Sequence, residues 1–267
     1  MLPPMNDIAW ITCRVLPEPD VDQDLSLEAV RAAGLSVELL AWDDPASDPG
    51  DFRLCVPRSC WDYFEDLPAF EGFVDRAAAR SRLLNGAAAL RWNLHKSYLT
   101  RLAAAGVSVV PTLCVPRGAR CELGATCSER RWTEVVLKPA VSAGSFATRR
   151  FQIDDEGPAA QAFLDEHLAQ RDMLVQEFVP SVRSVGERAL VWIDGTFTHV
   201  VIKSPRFDGD DAHVELAPEV LAEERALGEQ ALAAACADGG FSLDDLLYAR
   251  VDTVEHHGVR MLGELEL

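Results

Sequence analysis

Two pairs of charged residues near the carboxyl end carry the clearest chemistry in this 267-residue chain. Arg250 and Asp252 stand two apart, as do Glu264 and Glu266, in segments that read as the two strands of a hairpin. A strand turns its side chains to alternate faces, so each pair shares one face. Met261, Gly263, Leu265 and Leu267 take the other face, which is apolar. One face then packs, while the other presents three carboxylates beside an arginine. Carboxylates held together repel unless cations join them, and hard oxygen donors select Mg²⁺ or Mn²⁺. An ordinary amphipathic hairpin with its polar side in water shows the same alternation, so spacing alone does not separate the two readings.

The basic residues add a second pointer. Of 25, only three are Lys: Lys96, Lys138 and Lys203. Arg serves everywhere else, so the lysines mark positions where a compact ammonium fits and a broad guanidinium does not, as beside phosphate oxygens in a narrow pocket. Lys138 ends a strand and leads into Ser142, Ala143, Gly144 and Ser145. Small side chains let backbone N–H groups approach phosphate oxygens. Neither the Walker A pattern nor G-x-G-x-x-G occurs. A third segment, Gln176, Glu177, Phe178 and Val179 before Pro180, ends an apolar strand whose backbone is suited to reading the edge of a base. A core strand with its exit turn accounts for that segment equally well.

The elements that must position these residues change character along the chain. Residues 8–15, 36–42 and 52–56 read as strands, with helices over 25–33 and 67–81. That alternation predicts right-handed βαβ units and a parallel sheet. Residues 83–91 read as a connector, and Asn93 as the cap of a helix to 105 that carries Lys96 and stops at Gly106. A short strand is expected at 107–110, and 117–132 has no clear period. Beyond it come strands at 134–138 and 148–153, a helix over 158–169 and a strand at 173–177. A hairpin over 185–203 turns at Asp194-Gly195, a long helix covers 218–237, and a last hairpin turns over 255–258. The expectation is an α/β part over 1–91 and an α+β part after it, divided into 92–175 and 176–267.

Composition narrows the function classes. Acidic residues number 43 against 25 basic, a net charge of −18, which disfavours nucleic acid and anionic membrane as partners. No apolar run approaches the ~18 residues of a membrane span, and the first ten residues lack a leader pattern. The seven cysteines are odd in number and form no C-x-x-C, which predicts reduced thiols and a cytoplasmic protein. The six histidines show no metal-ligand spacing, and His256-His257 reads as turn surface.

In chain order these segments resemble the ATP-grasp superfamily, in particular its glutathione-synthetase-type branch with D-alanine ligases and O-ureido-D-serine cyclo-ligase. The resemblance runs motif by motif from about residue 90 to the end, and by fold type before that. It implies an amino-terminal α/β domain on the substrate side and two carboxy-terminal α+β parts that sandwich a nucleotide. It also implies that Lys96 and Lys138 hold ATP phosphates under a loop formed by Ser142, Ala143, Gly144 and Ser145. Gln176, Glu177, Phe178 and Val179 would read adenine, Glu187 would meet the ribose, and Lys203 would contact the nucleotide. Arg250-Val251-Asp252 and Glu264-Leu265-Glu266 are similar to the paired elements that bind Mg²⁺ (or Mn²⁺) and the reacting groups, with Arg250 and Lys203 catalytic. Arg58-Ser59-Cys60-Trp61-Asp62-Tyr63 is similar to a substrate-side segment of the cyclo-ligases. Glu266 departs from the Asn that many relatives carry, and the sequence ends one residue past it, where many relatives run on through a Pro-containing segment. The implied activity is an ATP-dependent carboxylate–amine or cyclising ligase on a small amino-acid-like substrate, through an acyl phosphate. Kinase action on a hydroxyl and nucleotide binding without turnover are the alternatives. Oligomeric state is left open, a homo-oligomer included.

Overall fold

The structure, a computed structural model, describes residues 6–204 and 214–267. The first five of the ten residues read for a leader, and His213, lie outside the described residues. The chain forms two compact units, 1–91 and 92–267.

The first unit is a parallel sheet with order β2-β1-β3-β4, built from β1 (Asn6–Thr12), β2 (Val37–Ala41), β3 (Phe52–Ser59) and β4 (Arg82–Leu83). Helices α1 (Gln23–Ala32) and α2 (Leu67–Arg80) connect its strands, and α2 buries Phe70, Phe73, Val74 and Ala77. β3 runs past the expected end at Val56 and through Pro57. Its pairing with β4 covers only Leu54 and Cys55, and its register with β1 slips beside Pro57, so the missing N–H falls where the ladder is already broken. At the carboxyl end of β3, Arg58 pairs with Asp20 at 3.3 Å and Ser59 donates to the same carboxylate. Trp42 Nε1 donates to Asp62 at 2.7 Å, and Tyr63 packs on Phe70.

Helix α3 (Gly86–Leu94) occupies what reads as a connector and leads the chain into the second unit. A turn separates it from α4 (Tyr98–Ala104), and Lys96 stands in that turn, not on a helix. Asn93 is no cap. Its side chain donates to the Leu265 carbonyl at 2.8 Å and accepts from the Leu267 N–H at 3.1 Å. Tyr98 does the same at Leu265, donating its hydroxyl to the carbonyl and accepting from the N–H. These two side chains satisfy an edge strand whose backbone would otherwise be open.

One antiparallel sheet of this unit has order β5-β8-β6-β7, from β5 (Thr112–Val115), β6 (Glu134–Pro139), β7 (Arg149–Gln152) and β8 (Met173–Glu177). The expected strand at 107–110 is displaced beyond Pro111, leaving Val109 with a single bridge to Leu262. The aperiodic 117–132 contains α5 (Leu123–Arg130), and α6 (Ile153–Leu168) starts five residues before the expected helix. Glu156 accepts from the Gln152 N–H there, and the acidic first turn suits the helix dipole, so Pro158 lies inside α6. Both helices cover one sheet face over Val135, Leu137, Met173 and Val175. Alternation leaves Val136, Lys138, Leu174 and Gln176 on the other face.

The second sheet has order β11-β10-β9-β12-β13: β9 (Glu187–Ile193), β10 (Thr196–Lys203), β11 (Val214–Leu216), β12 (Tyr248–His256) and β13 (Val259–Glu266). After the short α7 (Ser181–Ser184), helix α8 (Ala222–Gly239) packs on β12 and β13. The last turn is tighter than 255–258: only His257 and Gly258 form it, both with positive φ, as a two-residue hairpin turn of the primed kind requires. A bulge corrects the expected face of β13. Asp252 pairs with Glu264 but Thr253 with Leu262, so Gly263 is the extra residue and the alternation flips. Leu262, not Met261, shares the packed face with Leu265, and Met261 joins Val110, Val179, Val182 and Val254 in a separate cluster.

Candidate active site

Register brings six of the expected residues onto one face of the second sheet. Arg250 lies opposite Glu266 and Asp252 opposite Glu264 across β12 and β13. On the other side Asp252 faces Ala189, two residues from Glu187, and Glu187 faces Lys203. Lys203 Nζ reaches Asp252 at 2.6 Å and Glu187 at 2.7 Å. Arg250 grips Asp252 with two bonds of 2.8 Å and also donates to Glu266. Gly186, with φ +81°, lets the backbone enter β9 beside Lys203, because a Cβ there would stand 2.9 Å from the Lys203 carbonyl oxygen.

The other two lysines meet the same hairpin. Lys96, only 7% exposed, holds Nζ 3.4 Å from Glu264 and 2.6 Å from the Ser142 carbonyl. Lys138 reaches the other Glu264 oxygen at 3.8 Å. The turn after α3, the end of β6 and the last strand therefore converge on one carboxylate. Four acids (Asp252, Glu264, Glu266, Glu187) and four cations (Lys96, Lys138, Lys203, Arg250) occupy one neighbourhood, and their formal charges balance.

The acids do not close on a single point. Among the described residues, Asp252, Glu264 and Glu266 form no set of three ligand atoms within 4.8 Å of one another. Counter-ions draw them apart: Arg250 stands between Asp252 and Glu266, and the lysines hold Glu264. Burial raises the pKa of Asp252, but Arg250 and Lys203 outweigh it and hold the group well below the usual carboxylate range. Burial likewise opposes ionisation of Glu264, and Lys96 and Lys138 bring it down. Glu187 goes the other way: burial, then Asp252, push it up to about 7 against the pull of Lys203. The donor chemistry, hard oxygens only, fits Mg²⁺ shared with phosphates and not a dedicated protein cage.

A pH experiment tests the Glu187 assignment. The folded chain keeps this proton to about pH 7, whereas the unfolded chain releases it near the ordinary 4.5. Between those values the folded state binds more protons, so Glu187 lowers stability as pH rises, by at most about 1.4 kcal/mol per pH unit. Glu187→Gln removes that slope. Urea unfolding at pH 5 and pH 8 should show a smaller loss on raising pH in the variant than in the parent.

The remaining expected residues divide. Ser142 is buried and donates to the Pro139 carbonyl, while Ala143, Gly144 and Ser145 continue outward. Gly144, Ser145 and Ala147 all have positive φ, an unusual backbone for Ser and Ala, and Phe146 between them is exposed. The Gln176 amide donates to Thr112 at 2.8 Å, and the backbone N–H groups of Glu177 and Phe178 donate to the Pro111 and Glu134 carbonyls. Val179 is buried against Val110 and Val254. The Glu177 carboxylate turns to His256 at 3.3 Å, a contact that spacing did not foretell. Sequence reading also misses Tyr98 and reads Asn93 as a cap.

Known proteins are similar to this chain along nearly its whole length. A family profile described as D-cycloserine synthetase DcsG, N-terminal domain, matches residues 8–85. The cycloserine biosynthesis protein DcsG of Streptomyces lavendulae is 32% identical over 275 residues, covering 98% of this chain and 91% of the relative. The chain belongs to this family of ATP-grasp ligases. A crystal structure of D-cycloserine synthetase DcsG superposes with a TM-score of 0.88 at 30% identity, covering 98% of this chain and 91% of that one. The D-alanine–D-alanine ligase from Bacillus anthracis, complexed with ATP, shares the fold at a TM-score of 0.69 and 14% identity over 98% of this chain and 86% of that one. The family assignment makes the chain a ligase with the ATP-grasp fold, and among the described residues no helix is long and apolar enough to cross a membrane.

Proposed function

We propose that the chain joins a carboxylate to an amine of a small amino-acid-like substrate at the expense of ATP. The observation that carries this reading is the meeting of all three lysines of the sequence with the acids of the last hairpin. In this reading the γ-phosphoryl group passes to a carboxylate oxygen and ADP leaves. The amine nitrogen then attacks the acyl carbon, phosphate departs with the C–O electron pair, and the amine gives up a proton. Lys96, Lys138 and Lys203 hold the triphosphate, and Arg250 steadies the transferred phosphoryl or the oxyanion. Asp252, Glu264 and Glu266 would hold Mg²⁺ (or Mn²⁺), which when bound offsets charge on the phosphate oxygens. A polyphosphate with divalent ions brings both signs of charge, so it exchanges partners with the existing pairs without stranding a buried charge.

Residues 92–175 and 176–267 take the two sides of the nucleotide. The loop of Ser142, Ala143, Gly144 and Ser145 covers the phosphates, and Gln176, Glu177, Phe178 and Val179 lie on the adenine side. With the Glu177 and Phe178 N–H groups already bonded, the base is read by carbonyls or by groups farther along. Glu187, assigned to the ribose by resemblance, acts at the phosphate end here, since its partner is Lys203. Residues 1–91 serve the substrate, and the reaction belongs in the cytoplasm with its ATP.

The cyclising form of the reaction is favoured by the relatives, both named for cycloserine. Amine and carboxylate then belong to one molecule, and no second substrate is needed. Incubation with ATP and candidate amino acids should release ADP and phosphate, and hydroxylamine should trap a hydroxamate. A cyclic product would form from a single acid and weigh one water less. A phosphorylated hydroxyl with no trappable intermediate would make the chain a kinase, and no turnover across the screen would leave a binding module.

A further inference from the structure

Sheet alternation separates His256 from its neighbour: adjacent strand residues point to opposite faces. His257 escapes that rule because it occupies the turn with φ +53°, and its ring comes back beside His256, with ring centroids 4.1 Å apart. The Glu177 carboxylate, from the end of β8, approaches His256 Nε2 at 3.3 Å. One ligand atom from each of Glu177, His256 and His257 lies within 4.8 Å of the others, and among the described residues this is the sole such set of three.

We propose that Glu177, His256 and His257 form a transition-metal site, suited to Zn²⁺ and separate from the nucleotide's Mg²⁺. Two imidazoles with one carboxylate are borderline-soft donors that favour Zn²⁺ over Mg²⁺. Arms of about 2.0–2.1 Å in tetrahedral geometry place ligands roughly 3.3 Å apart, which the Glu177–His256 pair already matches. His256 is buried and Glu177 half-buried, while His257 is exposed, so the site is built from within and open on one side. It lies four residues along β12 from Asp252, about 13 Å at strand rise. Behind it Val179 and Val254, two residues from Glu177 and His256, pack together and hold the two sheets in contact. A bound ion would tie the last hairpin to the end of β8, clipping one sheet to the other.

The test titrates the full chain with Zn²⁺ alone, with Mg²⁺ in excess to occupy the hard-oxygen donors. His257→Asn is the diagnostic variant, because Asn also tolerates the left-handed turn but lacks the imidazole. His256→Gln is the second. One Zn²⁺ per chain is expected, with a raised Tm on binding and, with Co²⁺ in its place, visible bands of nitrogen-ligated tetrahedral metal. Each variant should weaken binding at least tenfold and lose the Tm shift. Absence of stoichiometric binding, or Zn²⁺ affinity unchanged in a folded His257→Asn, would overturn the proposal.

Discussion

Glu264→Gln is expected to lower turnover by roughly 10²–10³-fold in a protein that remains folded. The carboxylate touches both Lys96 and Lys138, and it lies directly across from Asp252. Gln keeps the shape and an acceptor oxygen but withdraws the charge that offsets two nearly buried ammonium groups. It also takes a ligand from the ion that would join the phosphates. The fold has other supports at this point. Tyr98 and Asn93 hold the backbone of Leu265 and Leu267, and the Leu265 side chain is buried on the opposite face. A circular dichroism spectrum like the parent's and a single melting transition at a lowered Tm, with ADP release near background, are the expected results. ADP release at the parent's rate would return Glu264 to the role of a surface acid.

Glu224→Gln should cost about 3–5 kcal/mol of stability, the largest effect expected away from the active site. Arg188 leaves β9 on the face away from the lysines and makes two bonds to Glu224 of α8, at 2.6 and 2.8 Å. Glu224 is fully buried and Arg188 nearly so. A third bond, to the Glu219 carbonyl at 2.6 Å, fixes the guanidinium further. Neutralising the acid leaves a buried cation with only the weaker pull of Glu219, whereas replacing both partners by apolar residues removes the penalty along with the pair. Urea unfolding should therefore show a large loss in Glu224→Gln and a much smaller one in Arg188→Met/Glu224→Leu. Equal losses in the single and double variants would mean that packing, and not charge, dominates there.

The charged cluster was more legible in the sequence than the scaffold around it. Period-two spacing was enough to place Arg250, Asp252, Glu264 and Glu266 on one face, because both pairs lie beyond the bulge at Gly263. The same spacing misplaced Met261, since one extra residue in a strand reverses every side chain past it. Scarcity of lysine pointed to Lys96, Lys138 and Lys203, but nothing local showed that Glu264 would join two of them. That contact depends on Asn93 and Tyr98 pinning the last strand, more than 160 positions away in the chain. Element type was legible where apolar period was strong, as in β8 and β9. It failed where bonds outside the regular helical ladder set the boundary, as in the turn holding Lys96, whose N–H goes to the Ala140 carbonyl, and at the start of α6, capped by Glu156 of its own first turn. The Arg188–Glu224 pair was hidden because its two members lie on different elements, 36 residues apart. His256 read as turn surface because a four-residue turn was expected, and the actual turn has two residues.

In the proposed site, nucleotide phosphates complete the set of lysines and hairpin acids. Calorimetric titration of Mg²⁺ into the free protein and into its complex with a non-hydrolysable ATP analogue examines this coupling. In the free protein the acids are held apart by Arg250 and the lysines, so Mg²⁺ should bind weakly. With the analogue bound, the lysines turn to phosphate and the carboxylates are released to the ion, so affinity should rise at least tenfold. By reciprocal linkage, Mg²⁺ should tighten the analogue by the same factor. Equal Mg²⁺ affinity in the two titrations would mean that the hairpin acids and the nucleotide do not share a metal.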